Sequence, residues 1–254
     1  VIFMAGPVLA IGLSVGLFPE ACPLVATVFL AVGSLLFAAQ RSTEPPVHAH
    51  DRSGGKSVIW LGPIQILVLT LIAIGAIFGT AEVTAVAFAE AQGNKASAGF
   101  ALSAYAAGSL VAGLAFGAMK LRMPLAQQLL VAIGLAALTT LPLLAVTNVT
   151  VLSAVLFLAG VAVSPTIILS MALVEKVVPS SKLTEGMTWA VTGISIGMAA
   201  GSSASGWIID QFGPSTGFLV SLVAGFIALV ITFLGQGTLR QSLRVAPAVI
   251  QPAE

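Results

Sequence analysis

The sequence predicts an all-α, polytopic membrane helix bundle with eight transmembrane helices, and three observations lead there. Hydrophobic residues make up 58% of the 254-residue chain and charged residues only 7%, whereas soluble domains carry about a quarter charged residues. Eight apolar stretches are long enough, or nearly so, to cross a hydrocarbon core of about 30 Å, which takes roughly 20 helical residues. Lysine and arginine fall almost entirely in alternate loops between those stretches. A soluble fold could not cover this much apolar surface, because bundle helices in water need a polar face. The net charge of +1 averages over a nearly uncharged chain and gives no sign of a nucleic-acid partner.

In order, the first stretch covers residues 1–18 and enters its apolar run at Val1, without an initiator methionine, a basic leader or a cleavage site. This start reads as a truncation, with residues expected upstream. Pro19 and Pro23 punctuate the passage to the second stretch, 24–39. Cys22, the single cysteine, rules out an intrachain disulfide and a CxxC site, and reads as a small packing residue. The segment QRSTEPPVHAHDRSGGKS, residues 40–57, then divides the chain into two helices and six. It carries both histidines, His48 and His50. An HxH in a polar linker without carboxylate or thiol support reads as solvated loop, so no metal site and no cofactor are expected.

The six further stretches cover 58–78 or beyond, 98–119, 125–146, 151–173, 187–209 and 215–234. Turn chemistry separates them: Gly93-Asn94, Pro124, Asn148, Pro179-Ser180-Ser181 and Gly213-Pro214. The gaps are short, so consecutive helices are expected to be antiparallel neighbours. With the ends placed alternately, one side collects Arg41, Arg52, Lys56, Lys120, Arg122, Lys176, Lys182, Arg240 and Arg244, and the other only Lys95. The positive-inside rule assigns the basic side, with linker 41–57 and the C-terminal tail 240–254, to the cytoplasm.

Small residues four apart let membrane helices approach closely. Gly193, Gly197 and Gly201 form such a stripe in the seventh stretch, continued by Ser205; Gly75 and Gly79 do so in the third, Gly113 and Gly117 in the fourth. The fifth and eighth stretches, rich in Leu, Val and Phe, are expected to be peripheral. The six helices therefore read interior, interior, peripheral, twice over, an internal repetition found in transporters.

Polar side chains within spans cost free energy unless they face protein or water. Glu82 follows Gly75 and Gly79 by seven and three positions, so it lies on their helix face. Two readings stand: a proton-titrating or cation-recognising carboxylate lining a cavity, or a solvated outer helix end. Glu90 and Asp210 lie farther out and read as solvated. Tyr105 and Ser109, Thr166 and Ser170, and Trp189, Thr192 and Ser195 are candidates to line an aqueous path, although hydroxyls also bond back to helix carbonyls without any function. Pro165 marks an expected bend, since proline frees a carbonyl in mid-span.

Two helices, a basic linker and two groups of three, ending in EGMTWAVTGISIGMAAGSSASGWIIDQFG and a last apolar helix, resemble the C-terminal two-thirds of a major facilitator superfamily transporter. The eight spans would be helices five to twelve of twelve. Residues 1–40 would close the N-terminal half, 41–57 would link the halves, and 58–239 would form the C-terminal half. Gly6-Pro7 with Gly12 is similar to the end of the helix-five motif of proton-coupled drug antiporters, though Ala10 and Ile11 depart from its glycine placement. Lys120 and Arg122 sit where the family repeats a gating-loop motif, without its aspartate. FGTAEVTAVAFAEAQG, with Glu82, is similar to helix seven of bacterial efflux-type members. The resemblance implies a monomeric secondary transporter of the bacterial inner membrane, exporting small amphipathic molecules or drugs by alternating access, with protons as coupling ion. An importer of a sugar or other metabolite is the alternative. A lipid enzyme would need a nucleophile, metal cluster or paired acids at membrane depth, and Glu82 has no such partner in sequence; a non-transporting sensor is a third reading.

Overall fold

The structure, a computed structural model, describes residues 18, 20–40, 57–119 and 121–245. Residues 1–17 of the first expected span, with the Gly6-Pro7 motif, lie outside the described residues. So do His48 and His50, Lys120, and the tail beyond 245. All regular structure described is helical: α1 Ala21–Ala39, α2 Gly62–Ala91, α3 Ser97–Ala118, α4 Leu125–Thr140, α5 Val149–Val177, α6 Leu183–Phe212 and α7 Phe218–Val245. Against an expected eight, seven helices stand among the described residues. Six of the seven are long and apolar enough to span a bilayer. The exception is α6, whose glycines and serines dilute its apolar content over 30 residues. The chain is a polytopic membrane protein.

Local chemistry sets the helix ends. Pro63 lies in the first turn of α2, where its missing N–H would be unpaired anyway. The Asn148 side chain accepts a hydrogen bond from the Val151 N–H at 2.9 Å and caps α5. Gly213, at φ +94°, ends α6 in a conformation that L side chains rarely adopt. The fifth expected stretch is α-helical only to Thr140 and tightens into a 3₁₀ turn, Leu141–Ala145, at Pro142. Across Pro165, α5 continues to Val177 as one helix.

α2 forms the centre of the six-helix unit α2–α7, with Ile64, Leu67, Leu71, Ile74 and Ile77 fully buried. It packs most extensively on α6, then on α7, while α3 packs mainly on α5. Short loops predict adjacent partners; the tightest pairs, α2 with α6 and α3 with α5, are not consecutive and run parallel. The loops fix only where helices begin and end, and backbone access decides who packs with whom. A Cβ at Gly197 or Gly201 would fall on the carbonyl oxygen of Ile72 or Ala76, and one at Gly75 or Gly79 on that of Ile194 or Met198. A Cβ at Gly193 would come within 3.1 Å of the Val68 carbonyl oxygen. The α3–α5 crossing is built on Gly108 against Phe157 and Gly160 against Tyr105. A Cβ at Gly113 would meet only side chains, the Ser164 hydroxyl at 3.1 Å and the tip of Ile168 at 3.9 Å, and Gly117 has nothing within 4 Å of where a side chain would begin. Its place in the α3 packing stripe is corrected: Gly117 lies in the exposed last turn of α3, beyond the crossing.

α4 and α7 each present an apolar outer face, Val131, Leu135 and Leu138 on one and Phe226, Phe233 and Leu234 on the other. Their inner faces carry buried polar links. Thr70 of α2 and Thr232 of α7 share a hydrogen bond of 3.1 Å, and the Gln236 amide of α7 donates to the Ala126 carbonyl of α4 at 2.6 Å. In α1 only Ala21 is buried, and the helix exposes Phe29, Leu30, Leu35, Leu36 and Phe37 around its circumference.

Candidate functional site

α2 runs for 30 residues from the end of the unit at which Ser57 joins it, here the linker end, to Ala91 at the far end. At 1.5 Å per residue this is about 45 Å, longer than a hydrocarbon core. Nine residues follow Glu82 before the helix stops, so Glu82 sits within the helix body and is half-buried. Glu90, by contrast, is exposed in the last turn, in an ion pair of 3.3 Å with Lys95. Asp210 is exposed near the end of α6.

Tyr105 of α3 packs against α2 within one helical turn of Glu82. One turn before Glu82, the Phe78 ring meets the Tyr105 ring with centroids 5.4 Å apart and planes tilted by 53°. Tyr105 belongs to a far-end cluster with Ala81, Ala85, Phe88, Leu152, Leu156 and Phe218. It is only 4% exposed, yet its hydroxyl has no hydrogen-bond partner among the described residues. Ala81 and Ala85, which flank Glu82 along α2, pack in that same cluster. A half-buried carboxylate beside a buried, unpaired phenol can exchange a proton, hold a cationic group, or do each in turn.

The other sequence candidates divide. Ser109 neighbours the α3–α5 crossing through its backbone N–H, 3.0 Å from where a Gly160 side chain would start. The Thr166 hydroxyl is buried and bonds back to the Ala162 carbonyl at 3.3 Å. Ser170, one turn on, is buried with its hydroxyl unpaired. Thr192 is half-buried. Ser195 is exposed, its hydroxyl bonded to the Val191 carbonyl at 3.1 Å. Trp189 packs on the other hydrophobic cluster, with Leu173 and Val174, so the structure does not join it to Tyr105. Arg122, with Lys176, Lys182 and Arg240, lies at the linker end of the helices that carry or adjoin them, and Lys95 at the far end. Among the described residues no cluster of three metal-ligating side chains occurs.

Sequence reasoning passed over Glu185, which precedes the apolar run of α6. Its carboxylate accepts hydrogen bonds from the Ser57 hydroxyl and, at 3.1 Å, from the Val58 N–H. This fastens the start of α2 to the start of α6. The Ser57 hydroxyl, above all, holds the Glu185 carboxyl below its ordinary value against an opposing effect of burial, with the Val58 N–H, Lys182 and the Trp189 indole helping. The signal was available: Ser57 precedes a helix and Glu185 opens one. The partners, however, lie 128 positions apart.

No curated protein matches the chain. A family model does: residues 67–248, from the first buried turns of α2 to just beyond the end of α7, match the Major Facilitator Superfamily.

Proposed function

The chain belongs to the major facilitator superfamily, whose members are transporters, and from that premise we propose that it exports small amphipathic molecules in exchange for protons by alternating access. The observation that carries the coupling is Glu82, a half-buried carboxylate inside α2, on the face of the helix that carries Gly75 and Gly79. Protonation removes a charge that is expensive at membrane depth, so the two protonation states favour different exposures of the site. Coupling follows when substrate and proton each favour one arrangement of the bundle. The linker end, with Arg122, Lys176, Lys182 and Arg240, is the cytoplasmic side on this reading.

Flux measured with the full-length protein in proteoliposomes under an imposed pH gradient tests this. Gradient-driven flux is expected in the wild type and is abolished in Glu82→Gln, which keeps the shape of the side chain but cannot titrate. Flux indifferent to the gradient removes the coupling, and unchanged flux in Glu82→Gln removes the residue's role.

A further inference from the structure

Tyr105 poses a question that the proton-carrying role of Glu82 does not answer. A buried hydroxyl without a partner is costly, and native proteins seldom leave one so. Tyr105 is held there by construction: its ring is pinned by Phe78, and the small side chains of Ala81 and Ala85, on either side of Glu82, share its buried cluster. Phe78 and Glu82 are four apart and so project from neighbouring positions on one helix face. The phenol ring therefore meets α2 one helical turn before Glu82.

We propose that Tyr105 positions and tunes Glu82: its hydroxyl, unpaired in the state seen here, donates a hydrogen bond to the Glu82 carboxylate in the opposite state of the transport cycle. The proposal rests on the reading of Glu82 as proton carrier. A phenol donating to a carboxylate makes a short, charge-assisted bond that weakens once the carboxylate is protonated. Proton uptake by Glu82 and the relative placement of α2 and α3 are then one event. Other charged groups are poorly placed to substitute. Neither α3 nor the turn Pro214–Gly217 carries any. Those of α5 and α7 that the structure describes, Glu175, Lys176 and Arg240, lie toward the linker end, as does Glu185 of α6. Asp210 of α6 and the Glu90–Lys95 pair are exposed at the far end.

The test compares wild type, Tyr105→Phe, Glu82→Gln and the double variant of the full-length protein in lipid. It has two readouts: the pH dependence of flux, and titration of the Glu82 carboxyl infrared band, identified by its loss in Glu82→Gln. A hydrogen bond to a charged group corresponds to about one pH unit or more. Tyr105→Phe is thus expected to move both midpoints up by about one unit, and to add nothing on the Glu82→Gln background. Midpoints unmoved, with flux retained, overturn the role of Tyr105 while leaving Glu82 the proton carrier. Absence of gradient-driven flux in the wild type overturns both readings. If Tyr105→Phe abolishes flux, the infrared midpoint decides by the same criterion. A merely structural tyrosine would instead leave the midpoint in place, with melting temperature unchanged or raised by loss of an unpaired hydroxyl.

Discussion

At the scale of single residues, Glu185 shows how a surface carboxylate can organise an end of the bundle. Its carboxyl is held below the ordinary value of 4.5, first by the Ser57 hydroxyl. A depressed value in the folded state means stabilisation that is complete above the unfolded value and is lost as pH falls through the folded one. The gap in melting temperature between wild type and Glu185→Gln is therefore expected to be widest at neutral pH and to close on acidification below the carboxylate range, as read by a pH series of thermal melts in detergent. A gap that persists in acid would show that the carboxylate charge is not what Ser57 and Val58 require. Glu82 was legible in the sequence because a lone acid beside a glycine stripe is conspicuous. Its neighbour Tyr105 was legible only as a polar residue in a span, since the approach of α3 to α2 at Phe78 depends on contacts no local pattern encodes.

At the scale of elements, the number and direction of the described helices follow from apolar length and turn residues, whereas the choice of partners does not. Gly193, Gly197 and Gly201 repeat at four and make the α2–α6 contact visible in the sequence. Gly108 has alanine, not glycine, four residues to either side (Ala104, Ala112), and Gly160 has Leu156 and Ser164, so both are easily passed over beside the better-marked Gly113–Gly117 pair. The two kinds of glycine have opposite consequences when changed. Gly197→Ala sets a methyl group onto the Ile72 carbonyl and must push the α2 and α6 backbones apart, a destabilisation of about 2 kcal/mol. Gly117→Ala meets open space and gains helix propensity, a stabilisation of up to about 1 kcal/mol. Melting of the two variants in the same detergent checks the sign of each; a stable Gly197→Ala would mean that α2 and α6 do not touch through their backbones.

For the whole molecule, the alternation of basic residues gives a topology that labelling can check. In a Cys22→Ser background, a cysteine at Asn94 and another at Ser181 are expected to react with a membrane-impermeant maleimide from opposite sides of the bilayer; reaction from one side would break the helix alternation. The parallel α2–α6 pair also limits how the molecule can move. Val68, Ile72 and Ala76 abut Gly193, Gly197 and Gly201 in steps of four, and Gly75 and Gly79 abut Ile194 and Met198 likewise. Such a joint resembles meshed gear teeth: a shift of a fraction of a turn drives carbonyl oxygens into α-carbons, and the next register with no clash lies a full turn, about 5.4 Å, away. The pair is consequently a single rigid lever, and any change of shape must be absorbed along seams lined by side chains, such as the one between Phe78 and Tyr105.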